Sequence, residues 1–250
     1  MHEPQTKNHK PTMIEVRNLT KKFGFFKAVD NISFQLGKGE VVGFLGPNGA
    51  GKSTTMKMIT GYYSPASGSV LINGINVEDH PRQTKTVIGY LPENAPVYKD
   101  FTVLEFLNFC GSIRGLKGKE LTCAIDRVIG LCDLGKVIYQ TIDTLSKGYT
   151  KRVCLGQAII HDPPYLILDE PTDGLDPNQK EQIHNLIKEM RKTKTILLST
   201  HILDEAENCC SRIIIISGGK IAAEGTPVEL KAKTKKESLA EIFKEVTLTY

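Results

Sequence analysis

The sequence predicts an α/β fold with a largely parallel sheet, an antiparallel β portion in its first third and a helical middle segment. Three observations predict it. Short β-type runs alternate with helical stretches along most of the chain. A continuous apolar run, Val41–Leu45, ends in a glycine-rich turn that leads into a helical stretch. Asn73-Gly74, a hairpin-type turn signal, divides the β-type run Ser69–Val77. With 250 residues the chain has ample length for a packed core, and its apolar share of 40% excludes wholesale disorder. Its 32 Lys+Arg against 28 Asp+Glu leave a net charge of only +4, so no nucleic-acid partner is expected. No run approaches the ~18 apolar residues that cross a bilayer. The chain is therefore not expected to span a membrane itself.

In chain order, Met1 to Thr12 is polar, lacks the apolar core of a signal peptide and is expected to be a disordered arm. Ile14–Val16 and Ile32–Leu36 read as strands; Ile32, Phe34 and Leu36 alternate onto one face. Val103–Ile113 and Leu121–Cys132 are helical in pattern and place a helical segment at about 95–162. A helix over Tyr149–His161 is stopped by Asp162-Pro163-Pro164, since proline cannot continue it. Tyr165–Leu168 reads as a buried strand, and Pro177–Lys192 as an amphipathic helix with Ile183, Leu186, Ile187 and Met190 on one face. Strands follow at Thr195–Ser199 and Arg212–Ser217. The main domain is expected over 13–233. The Lys-rich stretch Lys231–Lys236 reads as a solvated linker to a tail, 234–250, with a helix from Ser238 to Val246. Cys110, Cys123, Cys132, Cys154, Cys209 and Cys210 include no Cys-x-x-Cys pair and read as reduced core thiols of a cytosolic protein.

Chemistry is concentrated in Gly46-Pro47-Asn48-Gly49-Ala50-Gly51-Lys52-Ser53-Thr54, which matches GxxxxGK(S/T) between an apolar strand and a helix. Glycines let backbone N–H groups curl around an anion, and the following helix aims its positive end at it. Lys52 adds a point charge for β- and γ-phosphate oxygens, and Ser53 a hydroxyl for Mg²⁺. Tyr165-Leu166-Ile167-Leu168-Asp169-Glu170 is an apolar strand ending in two carboxylates. Alone it is as readily a surface acidic pair. Beside a phosphate loop, Asp169 can hold Mg²⁺, through water, and Glu170 can polarise the attacking water.

From about residue 13 to 230, in motif order, the chain resembles the nucleotide-binding subunit of ABC transporters. Leu145-Ser146-Lys147-Gly148-Tyr149 stands where that family has its LSGGQ signature, and Thr172-Asp173-Gly174-Leu175-Asp176 where it has its D-loop. Ser199-Thr200-His201 matches the switch histidine, and Phe23 in Lys22-Phe23-Gly24 the aromatic that stacks on adenine. Gly89-Tyr90-Leu91-Pro92-Glu93-Asn94 and the signature look most like exporter-type subunits of the multidrug and gliding-motility branch. Two departures stand out. Glu93 occupies the position of the usual glutamine, where it can reach Mg²⁺ directly or through water, or act as a solvated loop acid. Lys147 and Tyr149 replace the first glycine and the glutamine of the signature; Lys147 either assists the phosphate charge or faces solvent.

The resemblance implies a P-loop NTPase mixed-sheet core with antiparallel β and helical subdomains. It implies ATP and Mg²⁺ as ligands and a head-to-tail pair, homodimeric or with a similar chain. In that pair Ser146, Lys147 and Gly148 of one subunit close over ATP on the phosphate loop of the other, and Asp176 crosses the interface. Lys52, Glu170 and His201 are the expected catalytic residues, and Ser53, Asp169 and Glu93 the metal-facing ones. A separate transmembrane subunit is the expected partner, docking against the segment from Phe101 to Gln140 and holding the chain on the cytoplasmic face of a membrane. The alternative is a soluble ATPase of this type gating a cytosolic partner. A P-loop kinase would leave the Ser146 and His201 motifs without a role.

Overall fold

A computed structural model describes residues 12–94, 96–234, 236 and 238–248. The expected N-terminal arm lies outside these, apart from Thr12. The chain runs β1 (Thr12–Phe23), β2 (Phe26–Gly37), β3 (Val41–Leu45), α1 (Lys52–Ile59), β4 (Ser67–Ile72), β5 (Ile75–Asn76), α2 (Pro81–Thr86) and β6 (Ile88–Leu91). The helices α3 (Val103–Ile113), α4 (Gly118–Leu131) and α5 (Lys147–Ile159) follow. Next come β7 (Tyr165–Asp169), α6 (Pro177–Met190), β8 (Thr195–Thr200) and α7 (Leu203–Cys209). The hairpin β9 (Arg212–Ser217) and β10 (Lys220–Gly225) leads to α8 (Pro227–Thr234) and α9 (Leu239–Leu248).

Two sheets result. One is antiparallel, in the order β2-β1-β4-β5. The other has the order β10-β9-β3-β8-β7-β6, parallel except for β10 at its edge. Every residue of β3, β7 and β8 is buried, as expected of strands covered on both faces. Their side chains divide by alternation. Val42, Phe44, Ile167 and Leu197 join a core with α1 and the antiparallel sheet, whereas Val41, Leu45, Leu168 and Leu198 join one with the helices α3 to α7. Parallel register sets Asp169 beside Ser199, bringing the ends of β7 and β8 to one edge.

Local signals explain most elements. Thr102 and Glu105 form a reciprocal capping box that starts α3, so its first residue is Val103 as the pattern predicts. Other elements depart from expectation. β1 is far longer than Ile14–Val16, because register shifts near Asn18, whose φ is 46°, break its alternation while the pairing with β2 continues. The Lys-rich stretch expected to be a linker is helical as far as Thr234: Thr226 and Glu229 cap the start of α8, and Leu230 buries into the core. All six cysteines are free, but Cys123 is exposed, since it falls outside the buried stripe Ala124, Ile125 and Val128 of α4. Among the described residues no helix is long and apolar enough to cross a membrane.

Candidate functional site

The phosphate loop leaves β3 and enters α1 through Gly51, whose φ of 107° no residue with a side chain adopts easily. A Cβ there would also meet the Ala28 carbonyl at 2.5 Å. No side chain caps α1, and its first turn holds no acid, so its leading N–H groups keep their capacity for an anion. Lys52 is 6% exposed and arches back over the loop. Its Nζ donates to the carbonyls of Gly46 at 2.7 Å and Pro47 at 3.3 Å. Pro47, Asn48 and Gly49 are exposed at the loop crest, and Ala50 is buried beneath it.

Beneath the loop lies the end of β7. Asp169 Oδ1 accepts from Ser199 Oγ at 2.6 Å, and that same hydroxyl oxygen accepts the Glu170 backbone N–H at 3.0 Å. Glu170 sits in the left-handed region at φ 49°, a conformation costing about 1 kcal/mol or more that only surrounding structure sustains. Its side chain is buried between two partners: Oε1 lies 3.6 Å from Lys52 Nζ, and Oε2 lies 3.0 Å from His201 Nδ1. A buried ion pair stabilises a fold little once desolvation is counted, so this arrangement is better explained by chemistry than by stability.

Lys52, Glu170 and His201 open onto a cavity of about 510 Å³. Phe23, Phe26 and Ala28 line it together with Asn48, Gly49, Gly51, Ser53 and Thr54. Glu93 also faces it, and its backbone carbonyl accepts from Lys151 Nζ at 3.2 Å. Phe26 and Ala28 were not singled out by sequence, and Asp173, quoted only within the D-loop match, also lines the cavity.

The donor set suits a small divalent cation held jointly with phosphates. Asp169 Oδ2 is buried without a hydrogen-bond partner among the described residues, a costly state that a cation or its water relieves. Ser53 and Glu93 supply oxygens at the cavity wall. Among the described residues no cluster of three or more His, Cys, Asp and Glu could hold a metal alone. Magnesium bound by one or two side chains plus substrate oxygens needs none.

Four expected ligand contacts lie elsewhere. Ser146 is exposed and caps α5, accepting the Tyr149 N–H at 3.4 Å. Lys147 is exposed and Gly148 buried. Asp176 is exposed and caps α6, accepting the Gln179 N–H at 2.9 Å. None of these four lines the cavity. A larger groove, about 810 Å³, runs between α2, β6 and α3. Tyr62, Tyr98 and Phe109 line it with Arg82, Lys85 and Arg114, and its described lining holds no Asp or Glu.

A sequence-family profile described as "ABC transporter" matches residues 29–173. Escherichia coli has a relative described as a probable multidrug ABC transporter ATP-binding protein, 38% identical over 224 residues. The match covers 89% of this chain, and the chain spans only 39% of that relative's length. Among solved structures, an ATP-binding subunit of an ABC transporter superposes with a TM-score of 0.86 at 32% identity, covering 94% of this chain and 99% of the other. A dimeric ATP-binding cassette in a post-hydrolysis state, bound to ADP and Pi, matches with a TM-score of 0.79 at 26% identity, covering 86% and 98%.

Proposed function

The chain belongs to the ABC transporter family, and from that premise we propose that it is the ATP-hydrolysing subunit of an exporter, driving a separate transmembrane subunit through ATP-gated pairing. The observation that carries this reading is the contact of three side chains under the phosphate loop: buried Glu170 lies 3.6 Å from buried Lys52 and 3.0 Å from the exposed His201.

ATP is the substrate. Water adds to the γ-phosphorus, the bond to the β–γ bridging oxygen breaks, and ADP and phosphate leave. Little covalent work falls to the protein; positioning and charge stabilisation do most of it. The N–H groups at the start of α1 hold the phosphates. Lys52 exchanges the Gly46 carbonyl for a phosphate oxygen and opposes the charge that develops. Glu170 takes the proton of the attacking water, while His201, bonded to its other oxygen, fixes its direction. Ser53, Asp169 and Glu93 would hold Mg²⁺, which when bound neutralises phosphate charge and orients the β- and γ-oxygens. Phe23 and Phe26, exposed aromatics in the cavity lining, would stack on the base.

Ser146, Lys147, Gly148 and Asp176 stand outside the cavity of their own chain, which supports head-to-tail pairing in which each chain completes its partner's site. The similar dimeric cassette has a pairing of its own to compare. The aromatic, cationic groove suits an apolar segment carrying carboxylates, and it is the face offered to the transmembrane subunit at the cytoplasmic side of a membrane. Glu170→Gln should abolish turnover while ATP-dependent pairing, read by size-exclusion chromatography, persists. Full turnover in that variant would end the role assigned to Glu170. Retention of the chain by an integral membrane protein in native membranes tests the partner; association with a cytosolic partner instead would favour the gating alternative.

A further inference from the structure

One buried carboxylate belongs to none of the motifs above. Glu205, on α7, is 4% exposed, and its Oε2 accepts two hydroxyls, from Thr172 at 2.7 Å and Thr200 at 3.0 Å. These threonines are themselves buried, at 1% and 0% exposure. Thr172 lies two residues beyond Glu170, and Thr200 immediately precedes His201. A single oxygen therefore joins the segment that carries the water-polarising carboxylate to the segment that carries its histidine partner. Thr200 Oγ1 also accepts the Ile202 N–H at 3.0 Å, which ties the turn after His201 to the same point. The other carboxylate oxygen faces α6, with Lys180 Nζ at 3.3 Å and His184 Nε2 at 3.9 Å. Burial would raise the pKa of this acid, but His184, the two hydroxyls and Lys180 outweigh it and hold the value at about 2. Three elements are gathered around this one carboxylate.

We propose that Glu205 is a positioning residue for hydrolysis, clamping the Glu170 and His201 segments so that their side chains meet. The proposal rests on the reading of Glu170 and His201 given above. Nothing in it requires Glu205 to touch ATP. The neighbouring hydroxyls transmit its effect: Thr172 holds the loop in which Glu170 takes its left-handed conformation, and Thr200 holds the end of β8 from which His201 projects. Strain at Glu170 would otherwise relax, and the 3.0 Å contact to His201 would open.

Glu205→Gln places an amide beside Lys180 and can fail to fold, so the decisive variants are Thr172→Val and Thr200→Val, which remove one hydroxyl at nearly constant volume. Each should lower kcat about ten- to a hundred-fold, taking as a guide the range for hydrogen-bond partners that orient metal ligands, with KM for ATP unchanged. Thr172→Ser should restore the rate. In a His201→Gln background, Thr200→Val should add little, because the contact it protects is already gone. The ring resonance of His201, assigned by its loss in His201→Gln and read at one pH without nucleotide, should move in Thr172→Val towards its position in Glu170→Gln. Folded Thr172→Val with wild-type kcat and an unmoved resonance overturns the clamp, as does a loss that multiplies fully in the His201→Gln background. An inactive wild-type protein would sink the hydrolytic reading instead, and the resonance would still decide the clamp.

Discussion

Two helices of this chain begin with the same electrostatic offer and put it to different use. Both α1 and α5 start without an acidic residue in the first turn, and both present N–H groups and a positive dipole end. At α1 the cap is a left-handed glycine, and the N–H groups open into a cavity with a lysine, a glutamate and a histidine already in contact. At α5 the cap is a serine side chain in solvent, followed by an exposed lysine. The first end is assembled within one chain. The second has binding capacity but lines no part of that cavity, so its use depends on what another molecule brings.

The largest test of that contrast mixes two inactive proteins. Glu170→Gln removes the carboxylate we propose polarises water, and Ser146→Arg blocks the second helix end; each alone should lose turnover by about a hundred-fold or more. Mixed in equal amounts, they form a head-to-tail pair with one intact site, and activity should return to about a quarter of wild type for randomly assorting, independent sites. No recovery in mixtures shown to pair would break the contrast, because both helix ends would then serve one chain.

A smaller effect comes from the far end of α5. His161 donates through Nε2 to the Ile88 carbonyl at 3.1 Å, while its buried Nδ1 has no partner among the described residues. Burial, aided by Arg114, pushes its pKa down to about 4. The unfolded chain takes up that proton below about pH 6.5 and the folded chain does not, so stability should fall as pH drops from about 6.5 to 4, by on the order of 2–3 kcal/mol. Urea unfolding at pH 7.5 and 4.5 should show this fall in the wild type and a reduced one in His161→Gln. Equal falls would place the acid sensitivity elsewhere; Glu205, held at about 2, keeps its charge across this window.

The smallest effect separates stability from chemistry. Thr102→Ala removes the capping box of α3 and should cost about 1 kcal/mol, or roughly 2–4 °C in Tm. ATP turnover by the isolated chain should stay at the wild-type rate. A larger loss of turnover than of stability would tie the helical segment to the α1 site more closely than the contrast allows.

Elements governed by near neighbours were legible. α3 begins at Val103 as its helical pattern predicts, and the phosphate loop stands where its glycine spacing puts it. β1 was not legible beyond Val16, because bulges shift its alternation while the partner strand keeps it extended. The short β6 carries too few apolar residues to stand out, and only its place beside β7 makes it a strand. Glu205 was invisible for a similar reason: its meaning lies in a threonine 33 residues away.

By itself the sequence determined which groups exist and in what local frame: glycines around Lys52 and Ser53, two carboxylates ending an apolar strand, and a serine heading a helix. Loops of this kind are set by contacts within a few residues, so spacing alone encodes them. Tertiary structure decided which groups meet. The parallel register of β7 and β8 sets Ser199 against Asp169, turns Glu170 into its left-handed conformation and delivers His201 to it. That register also leaves Asp169 Oδ2 without a donor among the described residues, where a cation is wanted. Distances across a sheet depend on every strand that packs around them, which is why no single stretch of sequence carries them.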